Sequence, residues 1–229
     1  FTYGYKKSTV LVSLANAVIL LIAVGGILIE SIYKLKNAAP ISGEAISWTA
    51  GVGIVINGAT ALLLMKGQKN DLNIKGAFLH MAMDTLVSVG VVLSGILISF
   101  TQCYIIDAFI GMAIALIILV STWKLLKESL YLSLDAVPEQ VQLEKLETAL
   151  SQTPGVASWH HLHVWAVSTT ENAATLHIVI HSLTDMEDTK HRLKQLLATY
   201  GISHSTIEFE TSDTPCCDTS EGCYKQTTR

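Results

Sequence analysis

His80 and Asp84 are the only ionisable side chains in the stretch Gly76–Phe100, an apolar run long enough to cross a bilayer. Their four-residue spacing stacks them on one face of a helix. Each costs about 3 kcal/mol or more at membrane depth, so residues of this kind are retained there for a purpose. Nitrogen and oxygen donors one turn apart suit a divalent ion of the zinc type. A hydrogen-bonded His–Asp pair that only locks helices together is the other reading that the pair alone allows.

Half of the 229 residues are hydrophobic, only 15% are charged, and mean hydropathy is +0.45, which places the chain among membrane proteins. The long uncharged runs lie before Tyr131 and most acidic residues after it, so the net charge of −4 belongs mainly to the C-terminal part. No basic patch with interleaved aromatics occurs, which argues against a nucleic-acid partner. Phe1-Thr-Tyr-Gly-Tyr-Lys-Lys is not a signal peptide, because the span behind it is too long and no small-residue cleavage site follows. The chain reads as one that starts in the middle of something.

Four segments reach spanning length: about 8–32, 45–65, 74–100 and 105–131. Lys6 and Lys7, then Lys66, Lys69 and Lys75, then Lys124 and Lys127 fall on one side of the membrane, against Lys34 and Lys36 on the other. The positive-inside rule therefore puts the C-terminal part in the cytoplasm. Residues 1–135 form the transmembrane domain and 136–210 a small soluble domain. Within it a helix over 139–151, strands over 156–167 and 174–181, a helix over 185–200 and a strand over 205–210 predict an αββαβ, ferredoxin-like α+β layer. Residues 211–229 have the composition of a flexible, Cys-containing tail.

The soluble part holds seven of the eight histidines. Strand alternation predicts that His161 and His163 point to one face and His160 to the other, with His177 and His181 sharing a face of the next strand. Ordinary surface and core histidines explain His181 and His191. The cluster Cys216, Cys217 and Cys223, with no secretory signal, reads as reduced thiols. Thiolates there would bind zinc tightly, alone or with His204, and incidental thiols in a tail are the equal alternative.

In order along the chain, Tyr3-Gly-Tyr-Lys-Lys, Leu14-Ala-Asn16, Asn57, His80-x-x-x-Asp84 and His160-His-Leu-His-Val-Trp165 resemble the cation diffusion facilitator family of zinc transporters. The resemblance runs from the first residues to about Glu210. It implies a homodimeric, multi-pass transporter of the cell (inner) membrane, embedded in lipid. Such a transporter exports Zn2+ or a similar divalent cation from the cytoplasm in exchange for protons, with Zn2+ as cargo and as regulator. It further implies that the four spans correspond to the family's third to sixth, so that His80 and Asp84 supply half of a transport site. His160, His177 and His204 would be regulatory metal ligands in the cytoplasm, and Lys7 with Asp135 an interlock between the two domains. Where some relatives place a His and an Asp, this chain has Glu208 and Glu210, which departs from their binuclear arrangement. Thr9 likewise stands where a relative has an acidic residue, which weakens any wider interlock network. Asn16 suits a partner that orients a ligating carboxylate, or an interhelical hydrogen bond; Asn57 is assigned to packing. The competing class is a membrane-anchored metal sensor or metallochaperone that binds metal and moves none. No His-Glu-x-x-His motif lies on a span, so a membrane metalloenzyme is not expected.

Overall fold

The computed structural model describes residues 1–37, 43–213 and 216. They fall into two compact units: Ser8–Leu130, and Phe1–Lys7 together with residues from Tyr131 onward.

The first unit is helical: α1 (Ser8–Lys36), α2 (Gly43–Leu64), α3 (Leu72–Thr101) and most of α4 (Ile105–Ser133). Among the described residues, α1, α3 and α4 are each long and apolar enough to cross a membrane, and α2 is apolar over Ala50–Leu64. Asp71 starts α3: it has extended backbone, and its carboxylate accepts from the amide of Asn73 at 2.8 Å, satisfying one of the unpaired N–H groups of the first turn. The helix ends at Gln102, which takes the left-handed conformation at φ 54°.

Two faces of α3 are committed to packing. Gly76 and Gly90 let neighbouring helices approach. A Cβ at Gly76 would meet Asn16 of α1 and Leu125 of α4 at 3.6–3.7 Å, and one at Gly90 would lie 2.4 Å from Ile114 of α4. On another face Thr85 and Ser88 lie against Gly58 and Gly53 of α2. Polar ties join the helices as well. Ser13 and Ser129 share a buried hydrogen bond at 2.8 Å, and Lys75 pairs with Glu128. Asp107 accepts from Lys34 at 2.8 Å and from Ser94 at 2.7 Å, linking α4, α1 and α3.

The second unit is an α+β layer in which α5 (Leu143–Ser151) and α6 (Met186–Thr199) accompany a three-stranded sheet. Strands β1 (Val156–Ala166), β2 (Asn172–Ile180) and β3 (Ile202–Thr211) stand in the order β1-β2-β3. The β1–β2 pair is antiparallel, and β2 pairs in parallel with β3, whose connection runs through α6 as a parallel crossover must. Strand β3 starts three residues before its expected position, and His181 lies just beyond β2.

Alternation decides which side chains reach the core. Leu176, Ile178 and Ile180 of β2 are buried with Leu146 and Leu150 of α5 and Leu193 and Leu197 of α6. The intervening His177 therefore stands on the sheet's opposite face. On β3, Ile207 and Phe209 pack inward, which sends Glu208 and Glu210 to that same outer face.

Candidate metal sites

On α3, the His80 Nε2 lies 3.7 Å from the Asp84 Oδ2, so the four-residue spacing brings both donors together on one face. Their side chains are 49% and 37% exposed in this chain, which leaves the pair open to further donors. They lie between the arc of α3 that packs on α1 and α4 and the arc that packs on α2. Asn16 stands beside Gly76, one turn before His80, and makes no hydrogen bond to either His80 or Asp84.

The second site forms on the outer face of the sheet. Donor atoms of His160, His177, Glu210 and Cys216 all lie within 4.8 Å of one another. Cross-strand pairing explains three of them. His160 is the Cα partner of His177 on the neighbouring strand, and Glu210 lies two positions beyond Glu208, the partner of His177 on β3. His177 Nδ1 is 2.7 Å from Glu210 Oε1, and Cys216 Sγ is 3.7 Å from the same nitrogen. Burial pushes the Glu210 carboxyl up. The His177 hydrogen bond, the nearby His160 and His177 charges and the Cys216 contact outweigh it and hold the group below its ordinary range. Two imidazoles, a carboxylate and a thiol are the donor types of a four-coordinate zinc-type site.

Three sequence expectations change here. The trio His160, His177 and His204 divides. The first two join the group, but His204 pairs with Ala173 near the start of β3 and packs edge-on against Tyr3, with ring centroids 5.5 Å apart. Six strand positions separate it from Glu210, about 20 Å of rise. Cys216 enters the histidine group; Cys217 and Cys223, the other members of the expected tail site, lie outside the described residues. Strict alternation also fails on β1. The register slips between His160 and His163, and His161 takes φ 50°, so a bulge turns His161 toward His160 and His177 instead of away from them. Nothing in residue type marks that bulge, but Trp159, Leu162 and Val164 all packing inward demands one extra residue between them.

Lys7 and Asp135 come together, Nζ to Oδ1 at 2.5 Å, and the same ammonium donates to the carbonyls of Leu132 at 3.0 Å and Ala166 at 2.9 Å.

Two family models cover nearly all of this. The cation efflux transmembrane domain matches residues 1–132, and the cation efflux protein cytoplasmic domain matches residues 138–212. The chain belongs to the cation efflux family. It is 37% identical over 217 residues to the metal cation efflux system protein CzcD of Cupriavidus metallidurans, covering 94% of this chain and 68% of that one. It is 29% identical to a cadmium, cobalt and zinc/H(+)-K(+) antiporter of Bacillus subtilis (92% and 69%), and 31% identical to the zinc transporter ZitB of Pectobacterium atrosepticum (91% and 66%). Among solved structures, the metal-bound C-terminal domain of CzcD is 38% identical, covering 31% of this chain and 99% of that domain, with a TM-score of 0.29. As a cation efflux protein, the chain is a multi-pass membrane transporter of divalent metal cations whose α+β unit is its cytoplasmic domain.

Proposed function

We propose that this cation efflux protein exports Zn2+ or a similar divalent ion from the cytoplasm in exchange for protons, with His80 and Asp84 as two ligands of the cargo. The observation that carries this reading is the 3.7 Å approach of His80 Nε2 to Asp84 Oδ2 in a stretch of α3, Gly76–Phe100, that holds no other ionisable side chain. A mixed nitrogen and oxygen set holds zinc without the grip of four thiolates, and a transporter needs that because its ion must leave. Both donors ligate only when deprotonated, so protons and metal compete for the same atoms and an inward proton flow displaces the ion. Alternating access comes from rocking helices around a midplane site. Relatives named as zinc transporters and as a proton-coupled cadmium, cobalt and zinc antiporter support the cargo and the coupling.

The cytoplasmic domain binds the same kind of ion through His160, His177, Glu210 and Cys216, and binding there strengthens a homodimer. Lys7 and Asp135, both in the second unit, tie the start of the chain to the residues that follow α4, and Asn16 packs α1 on α3 beside the site. The membrane-anchored sensor reading draws on the cytoplasmic donor group alone; it gives His80 and Asp84 no task.

The test is zinc-driven proton flux in vesicles reconstituted with the complete protein. His80→Ala and Asp84→Ala should each abolish flux while the protein remains folded. Undiminished flux in both variants refutes the transport site. Metal binding with no flux in the unaltered protein would favour the sensor.

A further inference from the structure

We propose that His161 is an additional ligand of the ion held on the cytoplasmic sheet, and that it sets which ion the site prefers. The inference rests on the reading that His160, His177, Glu210 and Cys216 form a metal site, and it names a residue outside that group of four.

Three observations carry it. The first is backbone strain. His161 sits at φ 50°, a left-handed conformation that costs a non-glycine residue free energy, within a bulge where two residues of β1 oppose one of β2. Such strain persists where the surroundings or a function hold it in place. Glycine would occupy the position freely, yet the residue is an imidazole.

The second is placement. Without the bulge, His161 would face the helices. With it, the ring centroids of His160, His161 and His177 stand 5.2, 5.1 and 4.8 Å apart pairwise. Tetrahedral coordination with Zn–N distances of about 2.0–2.1 Å puts the centroids of two bound imidazoles about 5 Å apart. The three ring centroids have the spacing of imidazoles around one ion, and a side-chain rotation would bring a His161 nitrogen to the donors of His160 and His177.

The third is polar satisfaction. Nε2 of His161 and Nε2 of His160 are both shielded from solvent without a hydrogen-bond partner. His160 Nε2 comes no closer than 3.4 Å to Glu210 Oε2, an ion-pair distance without hydrogen-bond alignment. A buried imidazole nitrogen left unsatisfied is costly, and a bound ion satisfies both at once.

The site then has five donors for an ion that takes four. Three imidazoles with Glu210 make a borderline set suited to Co2+ and Zn2+, while exchange of His161 for the Cys216 thiolate makes a softer set suited to Cd2+. His161 and Cys216 are alternative fourth ligands, and their balance decides the preference.

The experiment uses the full chain in detergent, with Asp84→Asn to silence the helix α3 pair, and measures Co2+ and Cd2+ affinity by chelator competition. His161→Gly should weaken Co2+ by about tenfold or more and Cd2+ far less, whereas Cys216→Ser should do the reverse. His161→Gly should also raise the metal-free melting temperature, since glycine suits φ 50°; this shows that the variant is folded. Unchanged or equal losses for both ions in His161→Gly, with His177→Ala abolishing binding, would overturn the role of His161 alone. Full binding in His177→Ala would overturn the site itself. A lower metal-free melting temperature in His161→Gly would show that the imidazole is kept for packing, and would equally overturn the inference.

Discussion

Nδ1 of His177 on β2 lies 2.7 Å from Oε1 of Glu210 on β3, an imidazole and a carboxylate joined across two parallel strands on the sheet's open face. Both side chains are nearly covered, at 12% and 10% exposure, so the contact is screened much less than a surface pair. It ties together the two strands that the α6 crossover separates in sequence, and it orients two candidate ligands before any ion arrives.

That contact gives the cytoplasmic domain an acid-sensitive component of stability. Glu210 is held below its ordinary value of 4.5 in the folded protein. A depressed carboxyl contributes stability that is complete above the unfolded value and is lost as pH falls through the folded one, because the unfolded chain takes up the proton first. In chelator-treated protein, the protection of the β2 amides, taken relative to the intrinsic exchange rate at each pH, should stay high at neutral pH and fall below about pH 4.5. In Glu210→Gln the loss of protection over that window should be smaller. An identical acid limb in both proteins would mean that Glu210 contributes nothing to it.

Fold class could be read from the sequence because it rests on periodicity. Apolar runs of spanning length and the αββαβ order of the soluble part leave few alternatives. The pair on α3 was legible for the same reason, since helical spacing is local. The sheet site was legible only in half. His160 and His177 follow from strand pairing, but register chooses Glu210 over His204, and register depends on long-range packing that no local pattern states. The β1 bulge is of the same kind: it is set by which of Trp159, Leu162 and Val164 must face the helices. Cys216 joins the group from beyond the last strand, where sequence spacing gives no geometry.

The pair on α3 predicts an ion preference. An imidazole favours zinc and cobalt, whereas carboxylate oxygen suits manganese as well. His80→Asp keeps a donor on the same face one turn from Asp84 and changes only its chemistry. In competition flux, reconstituted His80→Asp protein should carry more manganese relative to zinc than the unaltered protein does, while His80→Ala should transport neither ion. Unchanged selectivity in His80→Asp would show that the imidazole does not contact the cargo.

Lys7 makes a more demanding prediction, because its ammonium does more than meet a carboxylate. It donates to Asp135 and also to the backbone carbonyls of Leu132 and Ala166, so three acceptors converge on one cation. The Asp135 side chain is 63% exposed, and a surface ion pair of that kind is worth little alone. The two carbonyl contacts are each worth about 1 kcal/mol, more when the donor is charged. Lys7→Ala should therefore lower the melting temperature of the full chain more than Asp135→Ala does. The exchange Lys7→Asp with Asp135→Lys restores opposite charges but points a carboxylate at two carbonyl oxygens, so it should not recover stability. Recovery to the wild-type melting temperature in the exchanged protein would show that charge pairing alone holds this corner, and that the carbonyl contacts are incidental.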